Sequence, residues 1–96
     1  MSKLSATTEA GTEARRRTAI VTGASRGIGA GITRAFLDLG YNVVANALHF
    51  ADSAPVPNGN LALVEGNIGQ ASTAMRVTET AISRFGFIDA VVAKDV

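Results

Sequence analysis

The sequence predicts an α/β fold with a parallel sheet. Short apolar runs rich in β-branched residues alternate with stretches of helical period, in the order strand, helix, strand, loop, strand, helix, strand. The apolar runs are continuous, which is typical of parallel strands that are covered on both faces. Apolar residues make up 47% of the 96-residue chain, enough for one hydrophobic core but not for two.

Residues 1–16 are small, polar and without period, and we expect a disordered leader followed by a domain over residues 17–96. Arg15 to Arg17 form the densest charge run. They could bind an anion, or they could be a solvated segment that leads into the first strand. The first strand is predicted at 18–22. Ile28, Ile32, Ala35, Phe36 and Leu39 then form one apolar helical stripe, and Gly40 stands at the C′ position after it.

The second half of the chain repeats this alternation. A second strand is predicted at 41–46, and residues 50–60 contain Pro55, Pro57 and Gly59, which disfavour a helix. A third strand at 61–64 and a fourth at 88–93 flank a helix over 70–85, closed by Gly86. The apolar face of this helix consists of Ala74, Val77, Thr78, Ala81, Ile82 and Phe85.

The composition excludes several classes of function. The chain has no cysteine, hence no disulfide and no thiol nucleophile, and its only histidine is His49, so we expect no metal site. A net charge of +1 argues against a nucleic-acid partner. No apolar run reaches the roughly 18 residues that span a bilayer, and no secretory signal is recognisable, so we expect no membrane partner and a cytoplasmic location.

The loop TGASRGIG, residues 22–29, carries the functional signal. Gly23 allows a sharp turn off the strand, Gly27 lets the backbone approach a phosphate, and Gly29 lets the helix pack closely on the sheet. The N–H groups and the positive dipole end of the following helix favour an anion at the same place. The alternative is a glycine-rich turn with packing duties alone, whereas a Walker-type loop is disfavoured because no Gly-Lys-Ser/Thr follows.

This loop resembles that of the short-chain dehydrogenase/reductase family. FLDLGYNVVANA at 36–47, the Asn67-Ile68 pair and RFGFIDAVV at 84–92 resemble further segments of the family, so that the similarity extends over residues 17–93. It implies half of a Rossmann-type doubly wound parallel sheet, with about four strands in the order 3-2-1-4. It also implies a dinucleotide bound at the carboxyl ends of the strands.

The resemblance further implies a cofactor preference. Family members that use NAD carry an acid just past the second strand, a position that here is Ala47, with the neutral Leu48 beside it. Arg26 would bind the 2′-phosphate of NADP, so NADP is favoured over NAD, unless Arg26 is an exposed loop residue without a ligand. His49 could approach the same phosphate or remain solvated.

The resemblance assigns other positions to the cofactor as well. Asn67 would accept a hydrogen bond from the adenine amino group or, alternatively, cap the turn into the next helix, and Ile68 would pack on adenine. Ala93 matches the start of a motif that lines the nicotinamide ribose. The cofactor-binding residues expected from the loop and the resemblance are Gly23, Ser25, Arg26, Gly27, Ile28, Gly29, Ala47, Leu48, Asn67, Ile68 and Ala93.

The family's catalytic residues have no counterparts in this sequence. The family uses a serine and a Tyr-x-x-x-Lys motif, but Tyr41 is followed four residues later by Ala45, and Lys94-Asp95-Val96 departs from the family pattern after strand four. We therefore expect the NADP(H)-binding half of a truncated oxidoreductase that is inactive by itself. In the complete protein, hydride would pass between NADP(H) and a carbonyl or alcohol.

The alternative is a non-enzymatic module that binds a nucleotide or a partner. In either case the edge of strand four would be open to self-association or to a complementing chain.

Overall fold

The computed structural model describes residues 16–25, 27–51 and 56–93. The predicted leader, apart from Arg16, lies outside these residues, as do Arg26, Pro55 and the segment 94–96. The described part of the chain contains four strands and two helices in the predicted order. They are β1 (Thr18–Val21), α1 (Gly27–Asp38), β2 (Asn42–Ala47), β3 (Leu61–Glu65), α2 (Ala71–Phe85) and β4 (Ala90–Val92).

The strands form one parallel sheet in the order β3-β2-β1-β4, which confirms the predicted fold class and strand order. The chain runs outward from β1 to β3 and then crosses, through α2, to the other side of β1. This reversal leaves β1 between β2 and β4. Such a switch point is where ligands bind in open α/β sheets.

Each face of the sheet has its own apolar cluster. One cluster contains Val21, Val43 and Leu61, with Ile32 and Phe36 of α1 packed against it. The cluster on the other face consists of Ile20, Val44, Ala62, Val64, Val77 and Ala81. Every residue of β1 and β2 is buried, as the continuous apolar runs predicted.

The apolar stripe of α1 is only partly buried. Ile32 and Phe36, near its middle, pack on the sheet, whereas Ile28 is 71% and Leu39 74% exposed. Ile28 lies in the first turn of α1, and Leu39 follows its last residue, Asp38, so both stand at the ends of the helix, away from the residues that pack on the sheet. Periodicity gives the direction of a stripe, but the length of the covered surface decides which of its members are buried.

The face of α2 also differs in part from the predicted one. Thr73, Val77 and Ala81 are its buried residues, whereas Thr78 is exposed and Ile82 is 49% exposed. The buried face of α2 is therefore the row of residues spaced four apart that begins at Thr73, and it is rotated from the predicted face. A threonine in an apolar row is easily mistaken for a surface residue.

The helix ends and strand bounds follow local rules. Gly40 (φ 89°) and Gly86 (φ 90°) are left-handed, as predicted, and the N–H of Gly86 donates to the carbonyls of Ala81 and Ile82. β4 begins at Ala90, two residues later than predicted, because Asp89 forms hydrogen bonds to Thr18 at the start of β1. Its N–H donates to the Thr18 carbonyl (2.9 Å), and its carboxylate accepts the Thr18 N–H (2.8 Å).

The segment between β2 and β3 contains no helix in its described residues, 48–51 and 56–60, in agreement with the prediction. Asn58 and Leu61 instead form an antiparallel bridge that turns the chain into β3. None of the helices in the described ranges is long and apolar enough to cross a membrane.

Candidate nucleotide-binding site

The carboxyl ends of all four strands lie at the same edge of the sheet, because the strands are parallel. The predicted cofactor-binding residues, other than Arg26, lie at this edge. They occupy the β1–α1 turn and the first turn of α1 (Gly23, Ser25, Gly27, Ile28, Gly29), the end of β2 (Ala47, Leu48), the segment after β3 (Asn67, Ile68) and the end of β4 (Ala93). Segments far apart in sequence thus surround one end of β1.

The three loop glycines differ in their surroundings. Gly23 (φ 64°) and Gly27 (φ 63°) adopt left-handed backbone, which side chains rarely tolerate. A Cβ added to Gly27 would meet nothing within 4 Å, whereas one added to Gly29 would lie 1.8 Å from the carbonyl oxygen of Gly23. The backbone at Gly27 is therefore open to a ligand, and Gly29 is where the helix touches the turn.

Hydrogen bonds anchor the turn to both neighbouring strands. The N–H of Thr22 donates to the carbonyl of Val92 in β4 (3.0 Å), and the N–H of Ala24 donates to the carbonyl of Asn46 in β2 (2.9 Å). The turn is therefore held on either side of β1, and the start of α1 has a fixed place above the strand ends. The first N–H groups of an α-helix have no partner within the helix, so they are available to an anion there.

Asn46 organises this edge, although the sequence reasoning did not single it out. It is 1% exposed, and its side-chain Nδ2 donates to the carbonyls of Val64 (3.0 Å) and Gly66 (3.2 Å). Its own carbonyl accepts the bond from Ala24. Asn46 thus links the β1 turn, β2 and the exit from β3. The second amide of the run NVVANA, enclosed between two alanines, was the signal that could have revealed it.

Asn67 shapes the turn that leads into α2. Its side-chain Oδ1 accepts the N–H of Gly69 (2.8 Å), and its carbonyl accepts the N–H of Gln70 (2.9 Å). This is the turn-capping role that was one of its two predicted alternatives. Since Asn67 is exposed and a carbonyl-type oxygen has two lone pairs, the adenine contact is compatible with the same geometry.

Two apolar side chains stand in solvent near the ends of β2 and β3. Leu48 is 67% and Ile68 41% exposed, and the N–H of Gly66 donates to the carbonyl of Ala47 (2.9 Å), which joins the two segments. Both side chains therefore lie uncovered at the edge of the sheet that carries the predicted cofactor residues.

Glu65 is the second residue that the sequence reasoning missed. It ends β3 in register with Ala47, the position at which the sequence lacks an acid. Its Oε2 accepts the N–H of Phe50 (2.9 Å) and lies 3.8 Å from Nδ1 of His49. The carboxylate therefore lies against the segment that follows β2. Only the register between β2 and β3 brings these residues together, so no local pattern could have indicated it.

A groove of about 810 Å³ extends along the outer side of β3 and α2. It shares no lining residue with the glycine loop. Its lining consists of Phe50, Leu63, Val64, Glu65, Arg76, Glu79, Thr80 and Ser83. The groove therefore reaches the carboxyl edge of the sheet at Glu65, but it does not extend to the glycine loop.

The single tyrosine of the sequence does not lie at the candidate site. Tyr41 lies just before β2, at the opposite edge of the sheet, and its ring meets Phe36 edge to face with centroids 4.8 Å apart. Among the described residues, no three His, Cys, Asp or Glu side chains are grouped as metal ligands. The arrangement suits the binding of a phosphate-containing ligand at the glycine loop and the start of α1.

Comparison with known proteins supports this interpretation. Rat (Rattus norvegicus) L-fucose dehydrogenase is 40% identical over 75 residues, which are 76% of this chain and 28% of that protein. An oxidoreductase of Methylorubrum extorquens, itself uncharacterised, is 34% identical over 83 residues, covering 79% of this chain and 34% of the relative. The chain therefore spans about a third or less of the length of these curated relatives.

Solved structures agree with the sequence comparison. Aldohexose dehydrogenase of Thermoplasma acidophilum matches with a TM-score of 0.70 and 26% identity, over 83% of this chain and 29% of that one. A short-chain dehydrogenase/reductase of Brucella melitensis, described as a glucose/ribitol dehydrogenase, matches with a TM-score of 0.70 and 32% identity, over 80% and 34%.

The sequence profile described as short chain dehydrogenase matches residues 17–94 of this chain, which include every described strand and helix. Enzymes of this kind use NAD(P) dinucleotides. The chain belongs to the short-chain dehydrogenase family.

Proposed function

We propose that this chain binds NADP(H) and forms the nucleotide-binding part of an oxidoreductase. In the complete protein, hydride would pass between NADP(H) and a carbonyl or alcohol. The observation that carries the proposal is the left-handed, open backbone of Gly27 at the start of α1, at the carboxyl edge of a parallel sheet.

The pyrophosphate would sit against Gly27 and the first turn of α1. Positive partial charge at a helix N-terminus and free N–H groups favour an anion there. A side chain at position 27 would stand in the approach path, whereas the hydrogen bonds from Thr22 and Ala24 fix the turn from the other side. When bound, the cofactor would supply the hydride, and the chain would supply its position.

The adenosine end would lie between the exits of β2 and β3. Leu48 and Ile68 offer exposed apolar surface to the base, and the exposed Oδ1 of Asn67 can accept a second hydrogen bond beside that from Gly69. Ala93, after β4, is proposed to face the nicotinamide ribose. These assignments rest on position at the strand ends.

The preference for NADP rests on two features of the sequence. Ala47 provides no carboxylate of its own to bind a ribose 2′-hydroxyl, and Arg26 in the glycine loop can form paired hydrogen bonds to a 2′-phosphate. The sequence given contains no Tyr-x-x-x-Lys motif, so these 96 residues by themselves are expected to show no turnover with carbonyl or alcohol substrates.

Calorimetric titration of the chain with NADP⁺ and NAD⁺ tests the proposal. We expect tighter binding of NADP⁺, and loss of binding in Gly27→Val. Gly40→Val is the matched control, because Gly40 also has a positive φ (89°) and open space around it, but stands at the far end of α1. Equal affinity of the two dinucleotides would contradict the NADP preference, and equal loss in the two variants would contradict the role of Gly27.

A second candidate function is capture of a polypeptide at the edge of β4. Within the described residues β4 pairs with β1 alone, and Val91 at its centre is 62% exposed. This surface would suit a second copy of the chain or a complementing chain. Light scattering at several concentrations would distinguish a monomer from an assembly, and a monomer at every concentration would contradict this second function.

A cytoplasmic location stays a prediction, which cell fractionation would test.

A further inference from the structure

We propose that Glu65 limits the preference for NADP by placing a carboxylate from β3 beside the ribose 2′ position, where it weakens the binding of a 2′-phosphate. The proposal rests on the proposed function, because it concerns the same nucleotide site. The end of β2 has no carboxylate, because its last residue is Ala47, and the proposal is that Glu65 of β3 supplies one.

The register of the sheet places Glu65 at this position. Glu65 pairs with Ala47 across β2 and β3, and side chains of paired residues in adjacent strands lie on the same face. The bond from the Gly66 N–H to the Ala47 carbonyl (2.9 Å) fixes that register at its last pair. In dinucleotide sites of this fold type, an acid at the end of the second strand binds the ribose 2′-hydroxyl. Here a carboxylate reaches the same region from one strand away.

The side chain is held towards the nucleotide edge. Oε2 accepts the N–H of Phe50 at 2.9 Å, so the carboxylate is directed at the segment that follows Ala47 and Leu48. Since the side chain is 53% exposed, a ligand at this edge would feel its charge.

Two basic side chains lie nearby. The imidazole of His49 is 3.8 Å from Oε2 and 92% exposed, and the guanidinium of Arg76 donates to the carbonyl of Glu65 (2.9 Å). Neutralising Glu65 would remove its repulsion of an added phosphate, whereas the positive charge of Arg76 would remain nearby.

The test is calorimetric titration of the whole chain with 2′,5′-ADP and, separately, 5′-AMP. Glu65→Gln removes the charge but keeps an oxygen that can accept the Phe50 N–H. Glu79→Gln is the matched control. Glu79 belongs to α2 and lines the same groove of about 810 Å³ as Glu65, and the change in net charge is identical. At low salt we expect Glu65→Gln to bind 2′,5′-ADP roughly 3- to 10-fold more tightly, as expected for like charges about 5 Å apart in water. Binding of 5′-AMP should change by less than about 2-fold, because it lacks the second phosphate.

The gain should shrink as salt is raised, because mobile ions screen exposed charges within about 10 Å at 0.1 M. A role of Glu65 in structure alone would change the two affinities equally and without salt dependence, and that result would overturn the proposal. So would an equal gain in Glu79→Gln. If both nucleotides bind and their affinity ratio is unchanged in Glu65→Gln, this inference fails while the proposed function stands. If the wild-type chain binds neither probe, the proposed function fails and the inference with it.

Discussion

Gly29 and Gly31 provide a direct test of how closely α1 packs on the glycine loop. Both are interior helical glycines without a positive φ, two residues apart in α1. A Cβ at position 29 would lie 1.8 Å from the carbonyl oxygen and 2.7 Å from the carbonyl carbon of Gly23, whereas one at position 31 would meet nothing within 4 Å. The same substitution, Gly to Ala, therefore tests two different surroundings.

The expected effects have opposite signs. Alanine is favoured over glycine in a helix by about 0.5–1 kcal/mol, so Gly31→Ala should stabilise the fold by that amount. In Gly29→Ala the helix would have to move about 1.2 Å from the turn to bring the Cβ contact to 3.0 Å, and the atom in the way is backbone, which cannot rotate aside. Overpacking of this kind costs about 1–3 kcal/mol. The two variants should then differ by about 1.5–4 kcal/mol in unfolding free energy.

Urea denaturation followed by circular dichroism would measure both variants against the parent chain. A difference of 1 kcal/mol corresponds to roughly 4–8 °C in Tm for a domain of this size, so thermal scans should separate them as well. If Gly29→Ala were as stable as Gly31→Ala, the close approach of α1 to the Gly23 carbonyl would be refuted. The role of Gly29 in close packing of the helix would then be refuted as well.

Three further predictions concern single side chains. Thr18 is fully buried and its Oγ1 has no hydrogen-bond partner among the described residues, so Thr18→Val should stabilise the fold by about 1 kcal/mol, and a loss on denaturation would contradict this. Thr33→Val, which removes a bond to the Gly29 carbonyl (3.0 Å), is the control and should destabilise. Asn46→Ala should cost about 1–3 kcal/mol, more than Asn60→Ala at the opposite edge, and equal costs would argue against the linking role of Asn46. Arg26→Ala should weaken binding of 2′,5′-ADP by about 1.5–3 kcal/mol in calorimetry, and unchanged affinity would remove the main support for NADP.

The order of strands and helices and the turns at Gly23, Gly40 and Gly86 could be predicted from the sequence, because each depends on short-range physics. Continuous apolar runs indicate buried parallel strands, and a glycine at a left-handed position is required by the backbone itself. The glycine loop is equally local, since its spacing sets a turn and a helix start within eight residues. For this reason the fold class and the edge of the sheet that carries the candidate site could be inferred without coordinates.

Only the tertiary structure decided which side chains meet. The pairing of Glu65 with Ala47 and the bonds of Asn46 to the exit of β3 join residues about eighteen positions apart, and they depend on the register of two strands. The exposure of Ile28 likewise depends on where the surface under α1 ends. Periodicity along one segment carries no information about the length or register of its neighbour. The sequence alone therefore determined at which edge of the sheet the candidate site lies, and pairing between strands determined which charged side chains lie along that edge.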